Sequence, residues 1–454
     1  MQLGHSLRSI HALSAGTVRI SRARLAIFTM PVLLFQAIEM AWRAYLPRFL
    51  TLDVGMTLGV VGALMLGARL LDAVADPLLG WLSDTVRTPL GLRRPWMLAG
   101  ALLVPLGALL LFLAPPGTGL VRIVGASLLL HLGYSLIITP HGGWGLELSD
   151  DSHQRTRIMG AKVWFGLLGS LGLIAVMALM ERSLAISRTS QMALLGWAIA
   201  LLAPITVLAV IAMFQERPNL GSPAMARQKP LALFARILRD RSMRAILLLY
   251  IVTGVIDAAA AGSFLFLAED ALALESWGAT LMLVQPVLAL ATLPVWSRIS
   301  ARIGRPRALM IAYGWQGVTA PLIFLIPDGQ PLAFAAFLAL RALGWGVDYM
   351  LLRAMVADLA DGQAQQAGRL GGSYYGMSSV TLKLAMGLGG GGALWLIDLI
   401  TRQSGIGATD AAIRLAYALP AMILAPVAVM RLAGGTSRLT GAPQSIDCTS
   451  SVCT

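Results

Sequence analysis

Apolar stretches of membrane-spanning length constrain this chain more than any other feature. Twelve segments rich in Leu, Ala, Val and Ile occupy 25–49, 57–82, 94–114, 120–141, 158–180, 191–214, 244–267, 277–299, 307–327, 331–356, 372–399 and 411–431. Each approaches or exceeds the roughly 20 residues a helix needs to cross hydrocarbon. Inside a bilayer every backbone donor and acceptor must be paired internally, and long continuous apolar runs achieve this as helices. The fold class expected is therefore an all-α polytopic membrane protein of about twelve transmembrane helices. Composition points the same way. Of 454 residues, 57% are hydrophobic and 13% charged, too few charges to cover a soluble protein of this size.

The longest polar interval, 215–243, divides the spans into two sets of six. The expected organisation is a cytoplasmic N-terminal segment (1–24), a six-helix bundle (25–214), a cytoplasmic central loop (215–243), a second six-helix bundle (244–432) and a cytoplasmic, disordered tail (433–454). A trace of repetition links Arg93-Arg94-Pro95 before the third span with Arg305-Pro306-Arg307 before the ninth. The net charge of +13 does not imply nucleic-acid binding, because the basic residues lie between spans, as topology signals do. Arg19, Arg22 and Arg24, Arg87, Arg93 and Arg94, the central loop, and Arg302, Arg305 and Arg307 all fall on one side. The other side carries Glu269, Asp270 and Glu275. Both termini are therefore expected in the cytoplasm. The two cysteines, Cys448 and Cys453, lie in the polar tail and offer neither a disulfide framework nor a metal site. Residues 1–24 lack the apolar core of a cleavable signal. No nucleophile–base pair, metal-ligand cluster or phosphate loop stands at a convincing spacing, so the chain reads as a transporter with no cofactor rather than an enzyme.

Charges inside the spans carry the functional reading, since a carboxylate in hydrocarbon needs a partner or a water-filled cavity. Asp72 and Asp76 sit four residues apart in the second span, on one helix face about 6 Å apart. Two carboxylates that close repel unless a cation or proton sits between them. A structural ion pair with Arg69 or another span is the alternative. Lys383 lies too deep in the eleventh span to snorkel easily and needs a carboxylate, with Asp72 or Asp76 as candidates. Glu39 and Arg43 stand at i and i+4 in the first span and can satisfy each other, with Gln36 one turn away. Asp257 in the seventh span reads as cavity-lining. Asp348 lies in the tenth span, near Arg353. His131 reads as a packed histidine. Gly387 and Gly389–Gly392 suggest close helix approach or a kink, and Gly142-Gly143 after Pro140 suggests a loosened helix.

The run Ala68-Arg69-Leu70-Leu71-Asp72-Ala73-Val74-Ala75-Asp76-Pro77-Leu78-Leu79-Gly80-Trp81 resembles the second-helix signature of the glycoside–pentoside–hexuronide:cation symporters, the melibiose-permease-like branch of the major facilitator superfamily. Asp84 and Gly91-Leu92-Arg93-Arg94-Pro95-Trp96 match the loop and the start of the third span. Glu147-Leu148-Ser149-Asp150-Asp151 with Gln154-Arg155-Thr156-Arg157 resembles the loop between the fourth and fifth spans. Lys383 falls where the family keeps an eleventh-span lysine. The resemblance implies two six-helix bundles working by alternating access, with sodium or a proton as the coupling ion. It implies Asp72 and Asp76 as the cation site and Lys383 beside it; Arg69, by its place three residues before Asp72, is a further candidate charge partner. Where sugar-transporting members keep acids in the first and fourth spans, this chain has Gln36 and Ile138. Lys162 stands near the position of their fifth-span arginine.

The expectation is a monomeric symporter of a small organic solute, sugar-like by resemblance, in a bacterial inner membrane. Its partners would be the solute, a monovalent cation and the bilayer. Gln36, Glu39, Arg43, His141, Trp144, Asp257 and Asp348 are candidate cavity residues. Asp84, Arg93, Arg94, Glu147, Asp150, Arg155 and Arg157 are candidates for a cytoplasmic gate. The alternatives are a transporter of lysolipid-like amphiphiles, or a scaffold or assembly factor that transports nothing. A scaffold has no need of an acid pair and a deep lysine.

Overall fold

A computed structural model describes residues 20–148, 152–184, 186–216, 237–367, 371–404 and 409–434. Most of the central loop and both chain ends lie outside these. Among the described residues, twelve helices are long and apolar enough to span a membrane. They are α1 (Arg22–Asp53), α2 (Leu58–Ser83), α3 (Arg94–Phe112), α4 (Leu120–Gly145), α5 (Arg157–Arg182), α6 (Arg188–Met213), α7 (Arg241–Ala271), α8 (Gly278–Ile303), α9 (Arg305–Leu325), α10 (Pro331–Leu359), α11 (Gly376–Gln403) and α12 (Thr409–Ala433). The protein is an all-α, multi-pass integral membrane protein. Successive helices alternate in direction. The end holding the start of α1 and the end of α12 is the terminal end, and the other is the distal end.

Short polar side chains start several helices by taking up free backbone N–H groups. Ser21 accepts from Arg24, Thr57 from Val60, and Asp240 from both Ser242 and Met243. Pro95, Pro306 and Pro331 stand in first turns, where no helical donor is lost. Prolines also lie inside α1, α2, α3, α4, α6, α8 and α12. The loosening expected at Gly142-Gly143 does not occur: the helix runs unbroken through Pro140 and both glycines to Glu147. The first helix of each half is wound more loosely near its distal end. In α1 the π-helical turns are Ala41–Tyr45 and Phe49–Asp53, and in α7 they are Phe266–Ala271. Such turns redirect side chains and often mark functional positions.

The halves meet along α2 and α11 near the middle of the molecule, and along α5 and α8 at the distal end. The glycines of α11 serve close approach, and the helix is continuous, so no kink is needed. A Cβ added to Gly391 would lie 2.5 Å from the Gly62 carbonyl oxygen of α2. One added to Gly62 would lie 2.6 Å from the Gly391 carbonyl oxygen. Gly387 abuts the Arg69 side chain, while Gly389 and Gly390 face Val255 and Ala258 of α7. Small residues at such crossings let backbones pack directly where lipid offers no hydrophobic drive. Gly391→Leu is expected to destabilise the protein by about 1–3 kcal/mol or more, as overpacking does. Gly392→Ala, with nothing within 4 Å of the added carbon, is expected to be neutral. Thermal unfolding of the two purified variants checks the contrast.

Candidate functional site

The close α2–α11 crossing brings charged groups from both halves to one place. Asp72 is fully buried. Its Oδ2 accepts from Arg69 Nη1 at 3.0 Å, and its Oδ1 lies 3.2 Å from His131 Nδ1 on α4. Asp76, one turn further, accepts from Ser135 Oγ at 2.8 Å and pairs with Lys383 of α11. α2 and α4 run parallel, so the Asp72–Asp76 step on one is matched by the His131–Ser135 step on the other. The other Arg69 amino group pairs with Glu39 of α1. Trp42 stands edge-on to the His131 ring at 4.2 Å. Asp76 and Lys383 sit about two turns, roughly 10 Å, from the terminal ends of their helices.

Three sequence expectations change here. Glu39 and Arg43 do not pair with each other. Glu39 goes to Arg69, and Arg43, on the loosened turn of α1, pairs with Asp257 of α7. Tyr349 of α10 also donates to Asp257 at 2.9 Å. With these partners Glu39, Arg69, Arg43 and Asp257 all meet an opposite charge, whereas a Glu39–Arg43 pair would leave Asp257 without its cation. His131 is a direct contact of Asp72 and not merely packed. It had a signal in the sequence, since it and Ser135 share a period with Asp72 and Asp76. His141 and Trp144 line none of the cavities described below. His141 stacks on Phe28 at 4.4 Å and contacts the Phe28 carbonyl through Nε2 at 2.7 Å. Trp144 lies edge-on to the same ring and beneath Arg94. Both are almost wholly buried.

Gln36 is exposed on the α1 face that continues to Glu39 and Arg43, beside Gly166 of α5. Arg43 and Arg69 line a small cavity between the halves with Met65, Ala258 and Met386. Asp257 and Asp348 line another, within the second half. Asp348 does not reach Arg353, which is exposed; it accepts from the Tyr349 backbone at 3.0 Å.

A larger cavity of about 470 Å³ opens at the distal end, away from the aspartates, among Tyr45, Arg48, Glu181, Arg188 and Glu269. There the halves are tied by ion pairs that sequence reading missed. Arg48 of α1 pairs with Glu269, and with Asp270 at 2.5 Å. Arg188 lies 3.8 Å from Glu269 across the halves, and 3.3 Å from Asp53 within its own half. At the terminal end, the Glu216 carboxylate accepts from the backbone N–H groups of Leu92, Arg93 and Arg94 at 2.6, 3.0 and 2.8 Å. The Arg93 side chain reaches the Pro140 carbonyl, that of Arg94 the Phe214 carbonyl and that of Arg157 the Ile20 carbonyl. Asp150 lies outside the described residues, as do the side chains of Asp84, Glu147 and Arg155.

Truncating one member of a buried pair strands the other charge and costs about 3–5 kcal/mol. Arg43→Met is therefore expected to lower stability sharply. Arg43→Met with Asp257→Asn should recover more than half of the loss. A double-mutant cycle on unfolding in detergent reads this directly.

The comparisons with known proteins agree with this architecture. A family model described as MFS/sugar transport protein matches residues 27–433. A putative glycoside/cation symporter, YagG of Escherichia coli, is 26% identical over 372 residues, covering 79% of this chain and 79% of that protein. A glucuronide carrier protein homolog of Escherichia coli is 25% identical over 366 residues, covering 78% and 79%. Among solved structures, the nucleoside transporter NupG superposes with a TM-score of 0.66 at 15% identity, over 92% of this chain and 99% of that one; this likeness concerns the fold. With nearly the whole helical region matched, the chain belongs to the MFS/sugar transport protein family and is a membrane transporter rather than an enzyme.

Proposed function

We propose that the protein is a cation-coupled symporter of a small organic solute, with Asp72 and Asp76 forming the cation site. The observation that carries this is the charge balance of the buried cluster. Glu39, Asp72 and Asp76 supply three carboxylates, while Arg69 and Lys383 supply two fixed cations. One negative charge remains for a monovalent cation, or for a proton held at the His131–Asp72 contact. An uncompensated charge at this depth costs several kcal/mol, so a bound cation changes the stability of the whole interface. Lys383 comes from the opposite half to Asp76. A cation that binds beside it shares Asp76 with Lys383 and weakens the tie between the halves, which tightens again when the cation leaves. That is coupling through differential affinity for two states. The names of the relatives, a glycoside/cation symporter and a glucuronide carrier homolog, support cation coupling and a sugar-like solute.

The Lys/Arg distribution supports the terminal end as cytoplasmic, in a bacterial inner membrane. The arrangement at hand then reads as closed outward, with Arg48, Arg188, Glu269 and Asp270 as the outer gate. The terminal-end network of Arg93, Arg94 and Arg157, with Asp84, Glu147, Asp150 and Arg155, would close the opposite side. The carrier works as a monomer, since each chain holds both halves.

Asp72→Asn and Asp76→Asn are expected to abolish cation-stimulated uptake in proteoliposomes. Asp76→Asn with Lys383→Met is the folding control, because it leaves no stranded lysine. The ion is read from unfolding, since a ligand at 100 times its Kd stabilises by about 2.7 kcal/mol. Stabilisation by sodium at fixed pH that disappears in Asp76→Asn identifies sodium; indifference to sodium with proton-driven uptake identifies the proton. Full cation stimulation in both single variants would sink the assignment. At the distal end, Arg48→Glu should expose the central cavity to membrane-impermeant thiol reagents from outside, read at a cysteine placed at Ala258. Unchanged labelling would remove Arg48 from the gate.

A further inference from the structure

The cavity at the distal end is built from both halves. Glu181 of α5 accepts from the Ala279 backbone N–H at 3.0 Å, in the first turn of α8. Glu269 of α7 reaches the same turn, where a Cβ added to Gly278 would lie 2.5 Å from its Oε1. The two carboxylates therefore converge on one spot, one from each half. Tyr45, on the loosened turn of α1, lines the same cavity and is 5% exposed. Its hydroxyl is buried without a hydrogen-bond partner. At about 470 Å³, the cavity has room for a molecule of several heavy atoms.

Charge around this cavity is unevenly answered. Arg48 is held by two acids, Glu269 and Asp270, and Arg188 by Asp53 with Glu269 further off. Arg182, beside Glu181, is turned onto the Trp277 ring, its guanidinium carbon 3.7 Å from the centroid. Glu181 and Glu275 line the cavity and form no ion pair among the described residues. Acids thus outnumber the arginines that answer them. A buried hydroxyl with none of its bonds made is costly, and a carboxylate withdrawn from water gains most from a charged donor. One positive group with several N–H donors satisfies Tyr45, Glu181 and Glu269 together. Among the described residues no three acids, histidines or cysteines stand close enough to hold a metal ion, so the donors have to be spread over a molecule rather than gathered at a point. Ile186, Met192 and Leu265 supply apolar wall for its carbon frame.

We propose that the distal cavity binds a small organic cation, a primary ammonium or diammonium compound, between Glu181 and Glu269 and against Tyr45. Glu181 and Tyr45 belong to the first half and Glu269 to the second, so the site is whole only while the distal end is closed. An occupant therefore favours that state over the open one, and it acts as a brake on the carrier rather than as its solute. The brake rests on the reading of the distal end as the outer gate. Binding does not, and is measured separately.

The test uses the purified full chain in detergent, in phosphate buffer at neutral pH with sodium and ionic strength fixed. Two matched pairs of probes are compared by calorimetry: 1,4-diaminobutane against 1,4-butanediol, and ethanolamine against ethylene glycol. In the native protein at least one amine binds about tenfold or more tightly than its neutral partner, the effect expected of a charged hydrogen bond. Glu181→Gln, whose amide oxygen can still accept from Ala279, loses most of that preference. Tyr45→Phe removes one hydroxyl and keeps the ring; it weakens the amine severalfold and serves where Glu181→Gln does not fold. The brake is read in right-side-out vesicles at Ala258→Cys, labelled from outside with a membrane-impermeant thiol reagent. The saturating amine slows labelling severalfold and its neutral partner does not. Equal binding of amine and neutral probe in both pairs overturns the proposal. So does an amine preference unchanged in both Glu181→Gln and Tyr45→Phe, the result expected if Glu181 only caps α8. Magnesium chloride that binds as tightly as the amine, and loses this in Glu181→Gln, would make the cavity a metal site and overturn the ammonium assignment. Amine binding with labelling unslowed overturns the brake. If Arg48→Glu fails to raise labelling without any probe, the outer-gate reading fails, and calorimetry still decides whether the cavity binds the amine.

Discussion

A charge buried in hydrocarbon has to be answered by another, and in this protein several answers come from the opposite half of the chain. Lys383 reaches Asp76, and Asp257 reaches Arg43. Neither half is electrostatically complete alone. The short distance that makes the first pairing feasible depends on residues with no side chain: Gly62 and Gly391 let α2 and α11 touch backbone to backbone. A larger residue there would move Lys383 away from Asp76 as well as cost packing energy. Packing and electrostatics at this crossing are one constraint.

The helical architecture was legible because hydrocarbon thickness leaves few alternatives, and the twelve spans fall where hydropathy placed them. The composition of the central cluster was legible as well. Asp72, Asp76 and Lys383 stood out as charges at depths where charge is costly. What could not be read was which partner each would take. Periodicity describes one helix at a time, so it offered Arg43 to Glu39 and could not weigh Asp257, more than two hundred residues away. The same limit hid Arg48, whose partners Glu269 and Asp270 read as ordinary loop acids. His141 and Trp144 misled in the other direction. Polar and aromatic residues near a proline look like a binding surface in sequence, but here they pack against Phe28. His131 was underweighted because a lone histidine in an apolar span is usually a packing residue; the register it shares with Ser135 is what distinguishes it.

The two ends of the molecule are held by different chemistry. At the distal end, charged side chains on helix tips meet across the halves, Arg48 at Glu269 and Asp270 and Arg188 near Glu269. At the terminal end, Arg94 and Arg157 reach backbone carbonyls of the first half, and Glu216 caps the start of α3. The distal contacts join separate bodies, whereas these contacts stiffen one. A rocking motion has to break the first kind and can leave the second intact.

This difference bears on how large a signal the proposed cycle needs. Exposed pairs at the distal end contribute about 0–1 kcal/mol each, but Arg48 and Glu269, 5% and 12% exposed, form a buried pair in which stranding one partner costs about 3–5 kcal/mol. A two-state balance of that size shifts when a ligand binds one state about a hundredfold more tightly than the other, roughly 2.7 kcal/mol. The central cluster operates on the same scale: Asp72 is fully buried, Lys383 and Asp76 are 19% and 20% exposed, and a stranded charge there costs several kcal/mol. A cation arriving at Asp72 and Asp76 therefore has enough energetic leverage to decide whether the distal pairs stay made. The coupling is reciprocal: breaking the distal pairs shifts the same two-state balance and so changes the affinity of the central cluster for a cation by the same factor. In the proposed cycle the buried aspartates and the distal gate bias one another by the same free energy.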